Sequence, residues 1–126
     1  MNSPILLIRS ELNNLDTRTD IDRVKFKLYG IYVDLLLSRK IFAHNEDIKP
    51  FCEQNDLKFK DYVYRSRTLL VSRVIRSIEK ADMQTLILYK KNAEKITEKL
   101  VSNREANKKQ DPIQPSVNFI DKYGRS

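Results

Sequence analysis

Apolar residues recur every three or four positions along most of this chain, and that spacing is the period of an α-helix. It places the apolar side chains on one side of each helix, where they can pack against a neighbour. Only two of the 126 residues are glycines, Gly30 and Gly124. An all-β fold of this length uses many more turn-forming residues. The sequence therefore predicts an all-α fold, a compact bundle of about five helices.

Helix boundaries follow from capping residues and from where each apolar stripe stops. Ser3 followed by Pro4 suits the start of a first helix, and Asp82 can cap the last one. We expect helices over about residues 4–15, 21–42, 58–80 and 82–102, and between them a helix of about two turns that starts at Asn45 or Asp47. A chain of this length builds a single core, so residues 1–103 are expected to form one domain, followed by a disordered polar tail over residues 104–126.

The second of these helices is expected to be the central and most buried one. Its apolar residues form one stripe and then widen it nearly all round the helix. Gly30 lies inside this helix, where glycine costs about 1 kcal/mol relative to alanine. Its presence favours another helix crossing close to the backbone at this point over the alternative, a flexible hinge.

The most strongly charged stretch covers residues 58–80, with seven Lys and Arg residues against two acids, and it supplies +5 of the net charge of +7. Such a surface favours a partner with negative charge, and nucleic acid is the natural candidate. We expect contacts from five cations: Lys58, Lys60, Arg65, Arg73 and Arg76. Helical spacing would group Lys58, Arg65 and Arg76 with Ser72 on one stripe. The alternative is a solvated helix face flanked by Asp61 and Glu79.

The residues before this basic stretch predict a short helix that ends in an abrupt turn. Ile48 and Phe51 are expected to face the core, and Pro50 is acceptable because the first turn of a helix needs no intrahelical acceptor for its amides. Asn55 and Asp56 tolerate the left-handed backbone that a sharp turn requires. The chain is thereby delivered directly into the basic helix.

A short helix, a tight turn and a basic second helix resemble the helix-turn-helix DNA-binding units of bacterial regulators and recombinases, over about residues 47–67. In those units a small residue precedes a turn residue by four positions, as Cys52 precedes Asp56, although Asp56 stands where glycine is usual. The resemblance implies that Lys58, Lys60 and Arg65 enter the major groove at the start of the second helix. It implies a small basic DNA-binding protein. Any two helices packed through a short connector would give similar spacing.

Arg67 falls on the apolar side of the predicted basic helix, and a buried arginine needs a partner. Asp34 is its counterpart, an acid within the apolar second helix. We therefore expect a structural ion pair between Asp34 and Arg67, which would join the two helices.

The alternative function is a protein-protein interaction or adaptor subunit. The last helix carries a strict alternation of three and four residues between apolar positions, typical of a coiled coil. This seam, expected to join a homodimer or a larger partner, consists of Leu86, Tyr89, Ala93, Ile96 and Leu100. The tail adds an apolar peptide, residues 116–124, which suits either docking on a partner or covering the domain itself.

The sequence shows no pattern typical of catalysis or of cofactor binding. His44 is the one histidine and has no cysteine or second histidine at metal-ligand spacing, and Cys52 is the one cysteine. Phosphate-binding glycine loops and paired-carboxylate signatures are absent from it as well. We expect no enzyme, no metal and no cofactor. With no signal-peptide core, no apolar run long enough to span a membrane and no possible internal disulfide, we expect a cytoplasmic protein.

Overall fold

The part of the chain that can be described, residues 4–110 of a computed structural model with side chains over residues 5–103, contains helices and connectors but no strand. The α-helices are α1 (Pro4–Asn13), α2 (Ile21–Leu37), α3 (Ile48–Gln54), α4 (Arg67–Lys80) and α5 (Met83–Gln110). Two short 3₁₀ turns, Asn45–Asp47 and Asp61–Arg65, lie between them. The predicted all-α bundle of about five helices is confirmed.

Helix α2 lies at the centre of the bundle, since it packs against α1, α4 and α5. Its inner stripe, which includes Val24, Leu28 and Leu35, is fully buried. Burial of one such side chain contributes about 2 kcal/mol. Its outer side is different, because Phe26 is 74% exposed and Leu37 is 46% exposed. The predicted central position is thus confirmed, while burial nearly all round the helix was wrong.

Buried polar side chains join the helices at the middle of this core. The Tyr32 hydroxyl donates to the backbone carbonyl of Tyr89 at 2.7 Å. The Asn92 amide donates to the Asn55 side-chain oxygen at 2.9 Å, and the Asn55 amide donates to the carbonyl of Phe51. Asn55 and Asn92 are both buried, so these bonds satisfy groups that water does not reach. They connect α2 and the end of α3 to α5.

The turn after α3 has the geometry that its residues predicted. Asp56 has a positive φ of 59°. Leu57 N–H donates to the Cys52 carbonyl at 2.8 Å, and Asp56 N–H donates to the Glu53 carbonyl at 3.0 Å. These two bonds form a Schellman motif, which satisfies carbonyls that the end of a helix leaves free. Leu57 is buried at the corner.

Two helix ends differ from those expected. Helix α2 stops at Leu37 instead of residue 42, because the Ser38 side chain accepts from Ile41 N–H and starts a connector whose Ile41 and Phe42 are buried. Helix α5 continues to Gln110, beyond the predicted end at about residue 102. The rest of the expected tail, with the apolar peptide over residues 116–124, lies outside the described residues.

No described atom lies close to Gly30. A Cβ placed on this residue would meet nothing within 4 Å, and the residue is exposed. The prediction that another helix of the same chain crosses here was wrong. Gly30 lies on the outer side of α2, at an open cleft that residues of α1 also line.

Candidate nucleic-acid interface

The basic stretch folds into three consecutive parts instead of one helix. Residues 58–60 have no regular structure, Asp61–Arg65 form a 3₁₀ turn, and α4 starts only at Arg67. Ser66 is the N-cap, since its hydroxyl accepts from Leu69 N–H at 3.3 Å. The prediction of a helix from residue 58 was therefore wrong. Ser66, a favoured N-cap residue, was the signal in the sequence that marked the true start.

The connector between α3 and α4 is longer than the turn of the helix-turn-helix units that the sequence resembles. Helices α3 and α4 are separated by residues 55–66, whereas a helix-turn-helix uses a turn of about three or four residues. Lys58, Lys60 and Arg65 all precede α4, so their expected place on a recognition helix was wrong. DNA binding itself remains a prediction, because these cations can contact phosphates from a connector as well as from a helix.

Buried aromatic and apolar residues hold the connector against the bundle. Val63 and Tyr64 of the 3₁₀ turn are buried, and the Tyr64 ring lies 6.3 Å from the Phe59 ring between centroids. The ammonium of Lys49, from α3, lies 5.9 Å from the centre of the Tyr64 ring and 3.6 Å from a carboxylate oxygen of Asp61. The connector is therefore anchored through its inner residues, and its outer residues stay accessible.

The five cations predicted to bind nucleic acid are accessible. Lys58, Lys60, Arg65 and Arg76 are exposed and Arg73 is half-buried. The two ion pairs among the described residues, Arg18 with Asp16 and Lys49 with Asp61, include none of these five. Their charges are thus not neutralised by a described acid of the same chain.

A side-chain contact joins the connector to α4. One guanidinium nitrogen of Arg73 donates to the hydroxyl of Tyr62 at 3.2 Å, and Tyr62 is 46% exposed. An exposed phenol held against an arginine offers a stacking surface within a basic region. The basic face is the name used below for these six residues: Lys58, Lys60, Tyr62, Arg65, Arg73 and Arg76.

Apart from the buried Arg67, the cations of α4 lie away from its apolar stripe. Its buried stripe consists of Leu70, Val74 and Ile78, and the opposite side is exposed. Arg73 and Arg76, three residues apart, lie on the same side, and Lys80 extends that row by one turn. Lys80 was not among the predicted contacts, although its spacing of four from Arg76 places it on the same side of a helix. The expected stripe of Lys58, Arg65, Ser72 and Arg76 does not form, because its first two members precede the helix.

Arg67 is buried, as predicted, but its partners are neutral. Its guanidinium donates to the Asn45 side-chain oxygen at 2.7 Å, to the Leu36 carbonyl at 2.7 Å and to the Phe42 carbonyl at 2.9 Å. Asp34 is exposed on the outer side of α2 and does not reach it. The predicted ion pair was wrong, because carbonyls at the end of α2 and in the following connector satisfy Arg67.

The surroundings of Arg67 also affect its protonation. Burial lowers the pKa of the guanidinium, the nearby charge of Arg39 lowers it further, and Asp47 opposes both. The usual pKa of arginine is so high that Arg67 remains charged at neutral pH. A permanently charged donor thus fixes the end of α2, the connector and the first 3₁₀ turn to the start of α4.

The expected oligomer seam is largely used inside the bundle. Leu86, Tyr89 and Ala93 are buried where α5 packs against α1 and α2, and Ile96 and Leu100 are half-buried. The prediction of a free seam on α5 was wrong, because the coiled-coil spacing serves contacts within the chain.

Other reactive groups do not gather into a site. Burial raises the pKa of the Cys52 thiol to about 11, so it stays protonated at neutral pH. His44 is exposed at the start of the first 3₁₀ turn. Among the side chains that the structure describes, no three His, Cys, Asp or Glu residues are grouped to hold a metal ion. No described helix has the length and apolar character to cross a bilayer.

Comparison with protein-family models, with curated proteins and with solved structures finds no match for this chain. The case for a function therefore depends on the geometry of the basic face.

Proposed function

We propose that this protein binds nucleic acid, with DNA as the ligand, along the basic face. The observation that carries the proposal is that all five of its cations are at least partly accessible and that none has a described acid as partner. Five cations that form no ion pair with a described acid leave positive potential along the connector and α4. A polyanion is the partner that gains most from that arrangement.

The lysines of the connector and the arginines of α4, both in the basic face, suit different contacts with nucleic acid. Lys58 and Lys60, in the irregular connector, offer compact charges for phosphate oxygens, and these contacts carry no sequence information. Arg73 and Arg76 project from a helix and present planar donors that can pair with two acceptors at once, on a phosphate or on a guanine edge. Binding is therefore expected to be governed by phosphate contacts and to weaken steeply with salt.

The test is a binding titration at two salt concentrations with a charge-matched control. The variant Lys58→Ala/Lys60→Ala/Arg65→Ala removes three charges from the basic face. The control Lys91→Ala/Lys95→Ala/Lys99→Ala removes three exposed cations from α5, where they alternate with acids of the same helix. Fluorescence anisotropy with labelled duplex and single-stranded DNA, and with RNA, measures affinity, while circular dichroism checks the fold.

The two triple variants should behave differently. Loss of the basic-face cations should weaken binding by about tenfold or more, and should reduce the slope of log affinity against log salt by about two to three, close to 0.9 per lost phosphate contact. The α5 control should retain affinity within about twofold, since those cations do not touch the ligand. Absence of binding to every probe at low salt contradicts the proposal. Equal losses in the two variants would show that net charge alone attracts the ligand and would contradict the assigned face.

Substitution of Tyr62 tests whether the ligand is single-stranded nucleic acid or duplex DNA. Replacement by alanine removes a stacking surface worth about 1–3 kcal/mol per base in single-stranded complexes. If single strands are the true ligand, Tyr62→Ala should weaken that binding about tenfold and leave binding to duplex DNA within about twofold. An equal effect on both would mean that Tyr62 acts only by positioning Arg73.

A further inference from the structure

The outer side of α2 carries a second apolar stripe that the described bundle leaves at least partly exposed. Phe26 is 74% exposed and Leu37 is 46% exposed, while Val33 is half-buried and Gly30 is exposed. These positions follow one another at spacings of four, three and four, so they lie in one row along the helix. The outer stripe is the name used below for Phe26, Gly30, Val33 and Leu37.

Gly30 is unexplained by the fold of a single chain. Glycine inside a helix costs about 1 kcal/mol relative to alanine, and the space over Gly30 is open. A glycine in the middle of an apolar row does allow a second backbone to approach closely. The position therefore suits contact with another helix from outside the described bundle.

Charged residues flank the stripe in a self-complementary order. Lys27 and Asp34 are seven residues apart, two helical turns, and so lie on the same edge of the row. Neither forms an ion pair with another described residue. Both also line an open cleft of about 370 Å³ beside Leu7 of α1. One edge thus carries a positive charge near one end and a negative charge near the other.

We propose that a second copy of this chain packs against the outer stripe, with the two α2 helices antiparallel. In an antiparallel pair, like edges face each other with reversed direction. Lys27 then lies opposite Asp34 of the second copy, and Asp34 lies opposite its Lys27. The same register sets Phe26 against Leu37 of the second copy, so two large side chains pack together. It also sets Gly30 against Val33 of the second copy, whose side chain fills the space that glycine leaves open.

A parallel pair fits these residues poorly. It would set Gly30 against Gly30 of the second copy and leave a gap in the middle of the row. It would also set Phe26 against Phe26 and bring like charges to the same level. The dimer does not depend on nucleic-acid binding, because the outer stripe shares no residue with the basic face. One helix pair is a small interface, so dissociation in the micromolar range is expected, on the order of 1–100 µM.

The test measures the association of the full chain by sedimentation velocity over a range of concentrations. Phe26→Asp replaces the largest and most exposed side chain of the apolar row with a charge and should raise the dissociation constant at least about tenfold. Ile87→Asp is the matched control, because Ile87 is also an exposed apolar residue but belongs to α5. Its dissociation constant should stay within about twofold of the wild type. Both substitutions are at exposed positions, so the fold should be retained.

A charge exchange tests the register. Lys27→Asp and Asp34→Lys should each weaken the dimer by about threefold or more, because each sets like charges opposite each other. The double exchange should restore association to within about twofold of the wild type. A double variant no better than the single ones overturns the antiparallel register. A wild-type chain that stays monomeric at all concentrations overturns the proposal, including the case in which residues 111–126 of the same chain cover the stripe.

Discussion

Helices α2 and α4 pack against each other with similar inner sides, but their outer sides differ. The two helices are antiparallel. At each end of the pair, a cationic side chain of one helix donates a hydrogen bond to a backbone carbonyl of the other. Lys25 of α2 donates to the Glu79 carbonyl at the end of α4, and Arg67 at the start of α4 donates to the Leu36 carbonyl at the end of α2. Each charge thus lies at the negative end of the other helix, where it is favourable.

The outer sides of the two helices differ in the side chains that they expose. Helix α4 buries its apolar stripe and leaves Arg76 exposed and Arg73 half-exposed, while α2 buries one apolar stripe and leaves Phe26 and Leu37 exposed. Cations facing water select an anionic partner, whereas exposed apolar side chains at helical spacing select another protein surface. The two helices therefore differ in the residues that they expose on their outer sides, and not in the apolar character of the residues that they bury on their inner sides.

The strongest test of this comparison removes the cation that joins the two helices. Arg67→Met should lower the free energy of unfolding by about 4 kcal/mol, since the carbonyls of Leu36 and Phe42 lose a charged donor. Arg76→Met, on the outer side of the same helix, should change it by less than about 0.5 kcal/mol. Urea denaturation followed by circular dichroism measures both. Similar stabilities for the two variants would mean that Arg67 has no structural role.

The two stripes of α2 can be compared directly by truncation. Leu28→Ala, on the inner stripe, should cost about 3 kcal/mol because it leaves a cavity in the core. Phe26→Ala, on the outer stripe, should cost less than about 0.5 kcal/mol in dilute protein, where no second copy is bound. Thermal unfolding at low protein concentration checks both values. A large loss for Phe26→Ala in dilute protein would show that this side chain contributes to the core of the single chain.

Substitution of Gly30 should change the free energy of unfolding by less than Leu28→Ala does, and should raise it instead of lowering it. Gly30→Ala should raise the free energy of unfolding by about 1 kcal/mol, because alanine has the better helix propensity and its methyl group meets open space. Chemical denaturation of dilute protein provides the measurement. A destabilised variant would indicate that something in the single chain lies over this residue after all.

The smallest effect is expected at Asp34. Asp34→Asn should leave the unfolding temperature of dilute protein unchanged, equivalent to less than about 0.5 kcal/mol, because Arg67 is satisfied by other groups. Differential scanning fluorimetry is sufficient for this comparison. A clear loss of stability would restore the ion pair that the sequence predicted.

Local signals were sufficient for much of the fold. The turn at residues 55–57 and the cap at Asp82, which accepts from Thr85 N–H at 2.8 Å, could be predicted because both depend on residues that are neighbours in the chain. The start of α4 was missed because apolar and charged residues continue through residues 58–65 without an obvious break. Ser66 and Ser38 were the signals that marked the true helix ends.

The candidate site was predictable only as a set of residues. The sequence showed that residues 58–80 carry excess positive charge, but it could not show that Arg73 would meet Tyr62 or that Lys58 and Lys60 would precede the helix. Helical spacing also identified a seam on α5 without revealing that α1 and α2 would cover most of it. A periodic pattern indicates that a face is apolar, but not which neighbour it meets.

The sequence by itself determined that this chain is helical, where most of its helices lie and that its surface is basic, because helix period, capping and charge are properties of neighbouring residues. Only the tertiary structure decided which of the two apolar stripes of α2 is buried and that Arg67 is satisfied by carbonyls more than twenty positions away in the chain. Those outcomes depend on distances between segments far apart in sequence, and packing alone sets these distances.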